Sequence, residues 1–81
     1  MQIRFELHGV LTRLAGTDLI ELQCPAPATV DKALDMLIAS HPALEAELQR
    51  TACAIGEALV SRDTVLDTDS KIALIPPVSG G

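Results

Sequence analysis

The chain has no tryptophan, no tyrosine and one phenylalanine, Phe5, among 81 residues. Proteins that bind single-stranded nucleic acid stack bases on aromatic side chains, and this chain offers no such platform. Positive charge is scarce too: six Lys and Arg stand against eleven Asp and Glu, a formal charge of -5. An acidic domain gains nothing by displacing phosphate counterions, which argues against nucleic acid and for a basic-surfaced protein as partner. Long apolar runs are missing. The opening MQIRFELHGVLTRLAG alternates charge with apolar residues, so it contains neither a signal-peptide core nor a span of about 20 apolar residues. No membrane association and a cytoplasmic location are therefore expected. Cys24 and Cys53 are the only cysteines and match neither a CxxC pair nor a zinc-ligand spacing. They are expected to be reduced and to pack as small hydrophobes.

What is present is aliphatic: hydrophobic residues make up 48% of the chain. A chain this short holds one domain with a small core, in which Leu34, Leu37, Leu48, Leu59 and Leu74 are expected to surround Phe5. Ile3, Phe5 and Leu7 alternate with Arg4, Glu6 and His8, as do Ile20, Leu22 and Cys24 with Glu21 and Gln23, giving two strands that read as a hairpin. VLTRLA between Gly9 and Gly16 reads as a turn or short helix. Thr29 is placed to cap a helix carrying Val30, Ala33, Leu34, Leu37 and Ile38 on one side and Asp31, Lys32 and Asp35 on the other. Pro42 stops it, and a second short helix is expected over 43–49. CAI-GE-ALV reads as two short strands turning at Gly56, with a brief extended piece over 64–66. Lys71 to Ile75 is apolar at nearly every position and predicts a central strand covered on both faces. This order gives an α+β fold, a mixed sheet of four to five strands packed on one main helix, the architecture called β-grasp or ubiquitin-like.

The segment after that strand, Pro76-Pro77-Val78-Ser79-Gly80-Gly81, differs in composition from everything before it. The sequence thus divides into a β-grasp domain, 1–75, and a flexible C-terminal tail, 76–81. Two prolines cannot continue a ladder as donors and favour an extended arm leading away from the sheet. Six extended residues reach about 20 Å, and the two glycines, lacking Cβ atoms, can pass a narrow channel and bend at its far end. The carboxylate of Gly81 thereby becomes a deliverable group. Chance puts a Gly pair at the end of roughly one chain in 200, so PPVS and the upstream pattern carry the assignment.

The stretch Ala73-Leu-Ile-Pro-Pro-Val-Ser-Gly-Gly81 resembles the ending of the small, sulfur-carrying subunit of molybdopterin synthase, within the β-grasp sulfur-carrier family. The likeness spans nearly the whole chain. Leu11, Leu14, Ala15 and Gly16 match that family's first loop, His41-Pro-Ala-Leu44 its helix exit, and Leu59, Val60, Asp63 and Leu66 its later strands. The chain departs from the family pattern at Leu7-His8, where a Phe pair is frequent, and at Thr12, Gly56 and Thr68-Asp-Ser70. The changes at Leu7, His8 and Thr12 are expected to alter how the sheet face meets a partner.

The resemblance implies a reaction sequence. An ATP-dependent adenylating enzyme activates the Gly81 carboxylate, since this chain has no GxxxxGK[ST] phosphate loop of its own. Sulfur from a persulfide donor then gives a thiocarboxylate, an anion at neutral pH and hence a nucleophile. The tail enters the large catalytic subunit of molybdopterin synthase, in a complex of two small and two large subunits. There sulfur passes to cyclic pyranopterin monophosphate to build the dithiolene of molybdopterin. Pro76, Pro77, Val78, Ser79 and Gly80 would be inserted into the partner's channel, and the chain would bind no cofactor and supply no catalytic side chain. The apolar face near Leu7 and Leu74 is expected to join the tail in that contact.

Other readings use the same residues. A carrier for thiamine thiazole synthesis would follow the same chemistry, and a ubiquitin-like modifier would join Gly81 to a lysine by an amide bond. A plain β-grasp interaction module would not need Gly80 and Gly81. His8 and His41 lack companions at metal-ligand spacing and read as structural or surface residues. Asp67 and Asp69 read as a solvated turn, and Ser79 as a slim tail residue without a triad.

Overall fold

The structure is a computed structural model and describes residues 1–77. Strands β1 (Gln2–Leu7) and β2 (Leu19–Gln23) flank a short helix, α1 (Val10–Ala15). A two-residue strand, β3 (Ala28–Thr29), leads into the main helix α2 (Val30–Ser40), followed by a 3-10 turn (Pro42–Leu44) and α3 (Glu45–Leu48). Strands β4 (Ala52–Ile55), β5 (Ala58–Val60), β6 (Val65–Leu66) and β7 (Ser70–Ile75) complete the order. Five strands form one sheet in the order β2-β1-β7-β4-β5, while β3 and β6 pair separately. Only β1 and β7 run parallel, so the sheet is mixed and its last strand is central, the β-grasp arrangement.

Local chemistry explains where the elements begin and end. The Thr29 hydroxyl accepts from the Lys32 backbone N–H at 3.1 Å, satisfying one of the helix's unpaired donors. Thr64 and Arg62 carbonyls accept from the next free donors, on Val30 and Asp31, and so tie the start of α2 to the loop before β6. Gly56 turns the β4–β5 hairpin at φ 61, a backbone region closed to most side chains. The buried set joins Ile3, Phe5 and Leu7 of β1, Leu11 of α1, Val30, Ala33, Leu34 and Leu37 of α2, Leu44, Leu48, and Ile72 and Leu74 of β7. With one aromatic ring available, the core is filled by interdigitated aliphatic side chains. Cys24 and Cys53 are free and buried within it.

Two expectations require correction. Strand β7 is covered on one face only: Ile72 and Leu74 are buried, whereas Lys71 and Ile75 are exposed and Ala73 is half-buried. Helices α1, α2 and α3 all contribute their buried residues to one core, so among the described residues no helix covers the opposite face of the sheet. Leu59 is likewise not a core residue but 73% exposed. Its partner across the hairpin is Ala54, which in turn pairs with Ala73, and this register puts all three side chains on the outer face.

Candidate functional site

The point at which the tail leaves the domain is set by β7, which is held between β1 and β4. Pairing to β1 ends at Leu7 with Leu74, and pairing to β4 ends at Ala52 with Ile75. Pro76 is thus the first residue beyond both ladders, and it is half-buried while Pro77 is exposed. A strand anchored on both sides makes a stiff base for whatever follows it. Val78, Ser79, Gly80 and Gly81, on which the expected chemistry rests, lie outside the described residues.

The outer sheet face beside this base has two halves. On one side Ala52, Leu59, Ala73 and Ile75 form an apolar strip, with Leu59 and Ile75 prominent. On the other, Lys71 pairs with Glu6 at 2.8 Å and Arg4 with Glu21 at 2.9 Å, the two ion pairs lying side by side across β7, β1 and β2. The Lys71 hydrogen bond holds the Glu6 carboxyl below its usual range, and the Glu21 hydrogen bond raises the Arg4 guanidinium. Such exposed pairs add little stability, but they fix the pattern of charge around the strip. His8 reaches toward Glu6 at 3.8 Å at the edge of this region.

The sequence expectation put an apolar partner face near Leu7 and Leu74, and the structure shows that neither leucine is on the surface. Both side chains are buried, at 2% and 0% exposure, because they point to the helix side of the sheet. Their neighbours in sequence, His8 and Ile75, are exposed instead. The departure from the family pattern at Leu7 is therefore a change in the core, and of the divergent first-loop positions His8 is the exposed one and Thr12 is half-buried.

Among the described residues, His8, His41, Asp67 and Asp69 are not brought together in one group. His41 Nδ1 sits 3.0 Å from the Ser40 hydroxyl, and Asp69 accepts from the Gln2 backbone N–H at 2.8 Å. Among the described residues no group of three or more His, Cys, Asp or Glu could hold a metal ion, and no helix is long and apolar enough to cross a membrane. One structural side chain was missed. Arg62, half-buried, donates to the carbonyl oxygens of Leu48 and Thr51, closing the end of α3 onto the β5–β6 loop. Nothing in the polar stretch Ser61-Arg62-Asp63 distinguishes it in sequence. Burial pushes the Cys53 thiol up, an effect that the charge of Arg62 opposes.

Comparison with known proteins gives this geometry a family. Small archaeal modifier protein 1 of Haloferax volcanii is 32% identical over 94 aligned positions, covering 98% of this chain and 100% of its own. The molybdopterin synthase sulfur carrier subunit of Arabidopsis thaliana is 28% identical over 81 positions, covering 100% of this chain and 84% of its own. The crystal structure of SAMP1 from Haloferax volcanii superposes with a TM-score of 0.90 at 27% identity, covering 100% of both chains. The model of the ThiS family matches residues 6–81, from the first strand to the last glycine, and the chain belongs to that family.

Proposed function

We propose that this chain is a sulfur carrier of molybdopterin synthase, with the carboxylate of Gly81 as its working group. The observation that carries the reading is the PPVSGG segment following directly on the central strand of a β-grasp sheet. A carboxylate is a poor electrophile until it is made an acyl-adenylate, so a separate ATP-using enzyme activates Gly81. Attack by a persulfide sulfur expels AMP, and reductive cleavage of the resulting disulfide link by a thiol leaves the thiocarboxylate. The large synthase subunit then receives the tail and supplies the acids and bases for transfer to the pyranopterin. Its docking surface on this chain is the apolar strip of Ala52, Leu59, Ala73 and Ile75, which adjoins the base of the tail. Two small and two large subunits make up the working complex.

The relative named a molybdopterin synthase sulfur carrier subunit supports this route over thiamine thiazole synthesis. A second reading, attachment to a target lysine by an amide bond, is favoured by the relative named a modifier protein. Both readings share the activated Gly81 and diverge in its acceptor. The test is to mix thiocarboxylated chain with purified large subunit and cyclic pyranopterin monophosphate. Formation of the dithiolene with return of a Gly81 carboxylate is expected. No dithiolene, together with a persistent isopeptide-linked conjugate in cell extract, would favour the modifier.

A further inference from the structure

Pro76 is half-buried although it lies beyond both strand ladders, and Gly9 is one of its neighbours. A Cβ built on Gly9 would meet Pro76 Cγ at 3.5 Å, so the proline ring faces the side of Gly9 from which a side chain is missing. The parallel register explains the meeting: Leu7 stands opposite Leu74, and two residues on, Gly9 comes beside Pro76. Gly9 holds φ 58 and ψ -128, which side chains with a Cβ rarely adopt. Its carbonyl accepts from Thr12 N–H at 3.2 Å in the first turn of α1, and that helix is anchored by the fully buried Leu11.

We propose that Gly9 is a positioning residue for the tail: it seats the Pro76 ring and so sets the direction in which the chain leaves the sheet toward a partner's active site. The proposal rests on the carrier reading above. Space alone does not demand glycine, because 3.5 Å is an ordinary contact; the positive φ does, since another residue would pull the turn out of shape and shift the seat. Proline at the other side of the contact has its own φ fixed, so one seated ring removes much of the freedom of the first tail residue. Ordering that residue before binding lowers the entropy that a partner must otherwise supply.

The experiment compares wild type, Pro76→Gly, Pro76→Val and Gly9→Ala as substrates of the adenylating enzyme with ATP, with thermal midpoints measured alongside. Nuclear Overhauser contacts between the Gly9 α-protons and the Pro76 ring are recorded on wild type. Those contacts are expected, with Pro76→Gly raising KM about fivefold, the effect of freeing roughly one backbone residue, at unchanged kcat and thermal midpoint. Pro76→Val, which restores an apolar contact, recovers part of the loss. Gly9→Ala shows the same KM effect if it folds, and the Pro76 variants decide the matter if it does not. Absence of the contacts, or a wild-type KM for Pro76→Gly, overturns the seat while the carrier reading stands. No adenylation of the wild type overturns the carrier reading, and the proposal with it.

Discussion

Leu7 and Leu74 face each other across the parallel pairing of the first and last strands, and both are sealed on the helix side of the sheet. This pair fixes the end of the ladder from which the tail departs, and by alternation it puts Ile75 on the open face. On the proposed reading a partner that receives the tail meets Ile75 and Leu59, because the leucines the sequence suggested are buried. Leu59→Arg is expected to weaken binding to the large synthase subunit by about tenfold or more, as loss of a central apolar contact does. Because Leu59 is 73% exposed, the denaturation midpoint should stay put. Titration calorimetry and a urea curve check the two halves; unchanged affinity would remove this face from the interface.

Leu37 of α2 is fully buried against the sheet. Leu37→Ala should cost about 2–5 kcal/mol, from lost transfer energy and the cavity left behind. Against a total of about 4–12 kcal/mol for a chain of this length, that is enough to bring the domain near unfolding. Urea denaturation followed by circular dichroism reads the effect directly.

The Arg62 side chain satisfies two carbonyl groups at the end of α3. Arg62→Met keeps most of the stem and removes the donors, so a loss of about 1–3 kcal/mol is expected. The Cys53 thiol should rise further, since the cation that opposes the burial effect is gone. Alkylation of Cys53 in the folded protein, followed by mass, separates this from general loosening: the native variant should react more slowly at a given pH, apart from opening events that denaturant reveals.

Lys71 holds the Glu6 carboxyl below its ordinary value through a 2.8 Å hydrogen bond. A carboxyl depressed in the folded state stabilises it above the ordinary value, and that contribution is lost as pH falls through the folded value. Lys71→Met should return Glu6 titration toward the usual carboxylate range, as carboxyl chemical shifts across an acid titration would show. It should also remove this residue's share of the acid dependence of stability. An unmoved Glu6 midpoint would mean that another group sets it.

Much of the fold was legible because its signals are local. Thr29 before an apolar stripe marked the main helix, Gly56 marked the hairpin, and the alternation of Ile3, Phe5 and Leu7 marked an inner and an outer face. What failed depended on pairing between distant strands. The run Lys71 to Ile75 looks apolar on both faces, yet only tertiary layering decides that one of them is open. Leu59 reads as core by its chemistry, and it is the register of β5, which turns Leu59 to the outer face at the sheet edge, that exposes it. The contact of Pro76 with Gly9 was hidden for the same reason, since it arises from a parallel register between residues at opposite ends of the chain. The tail itself was read from its composition, from the strand pattern before it and from its resemblance to a known ending, and Val78 to Gly81 lie outside the described residues.

The account depends on the Gly81 carboxylate being free and open to activation. Deleting Gly81 should abolish sulfur loading while leaving the denaturation curve unchanged, because the sequence gives the tail little apolar area to bury. The most direct measurement is the intact mass of the chain after incubation with ATP, the adenylating enzyme and a persulfide donor, with fragmentation to locate the change. The account predicts that one oxygen of the Gly81 carboxylate is replaced by sulfur, only when ATP is present. A chain that stays unmodified under conditions that load an established carrier, or that is loaded equally well without Gly81, would contradict it.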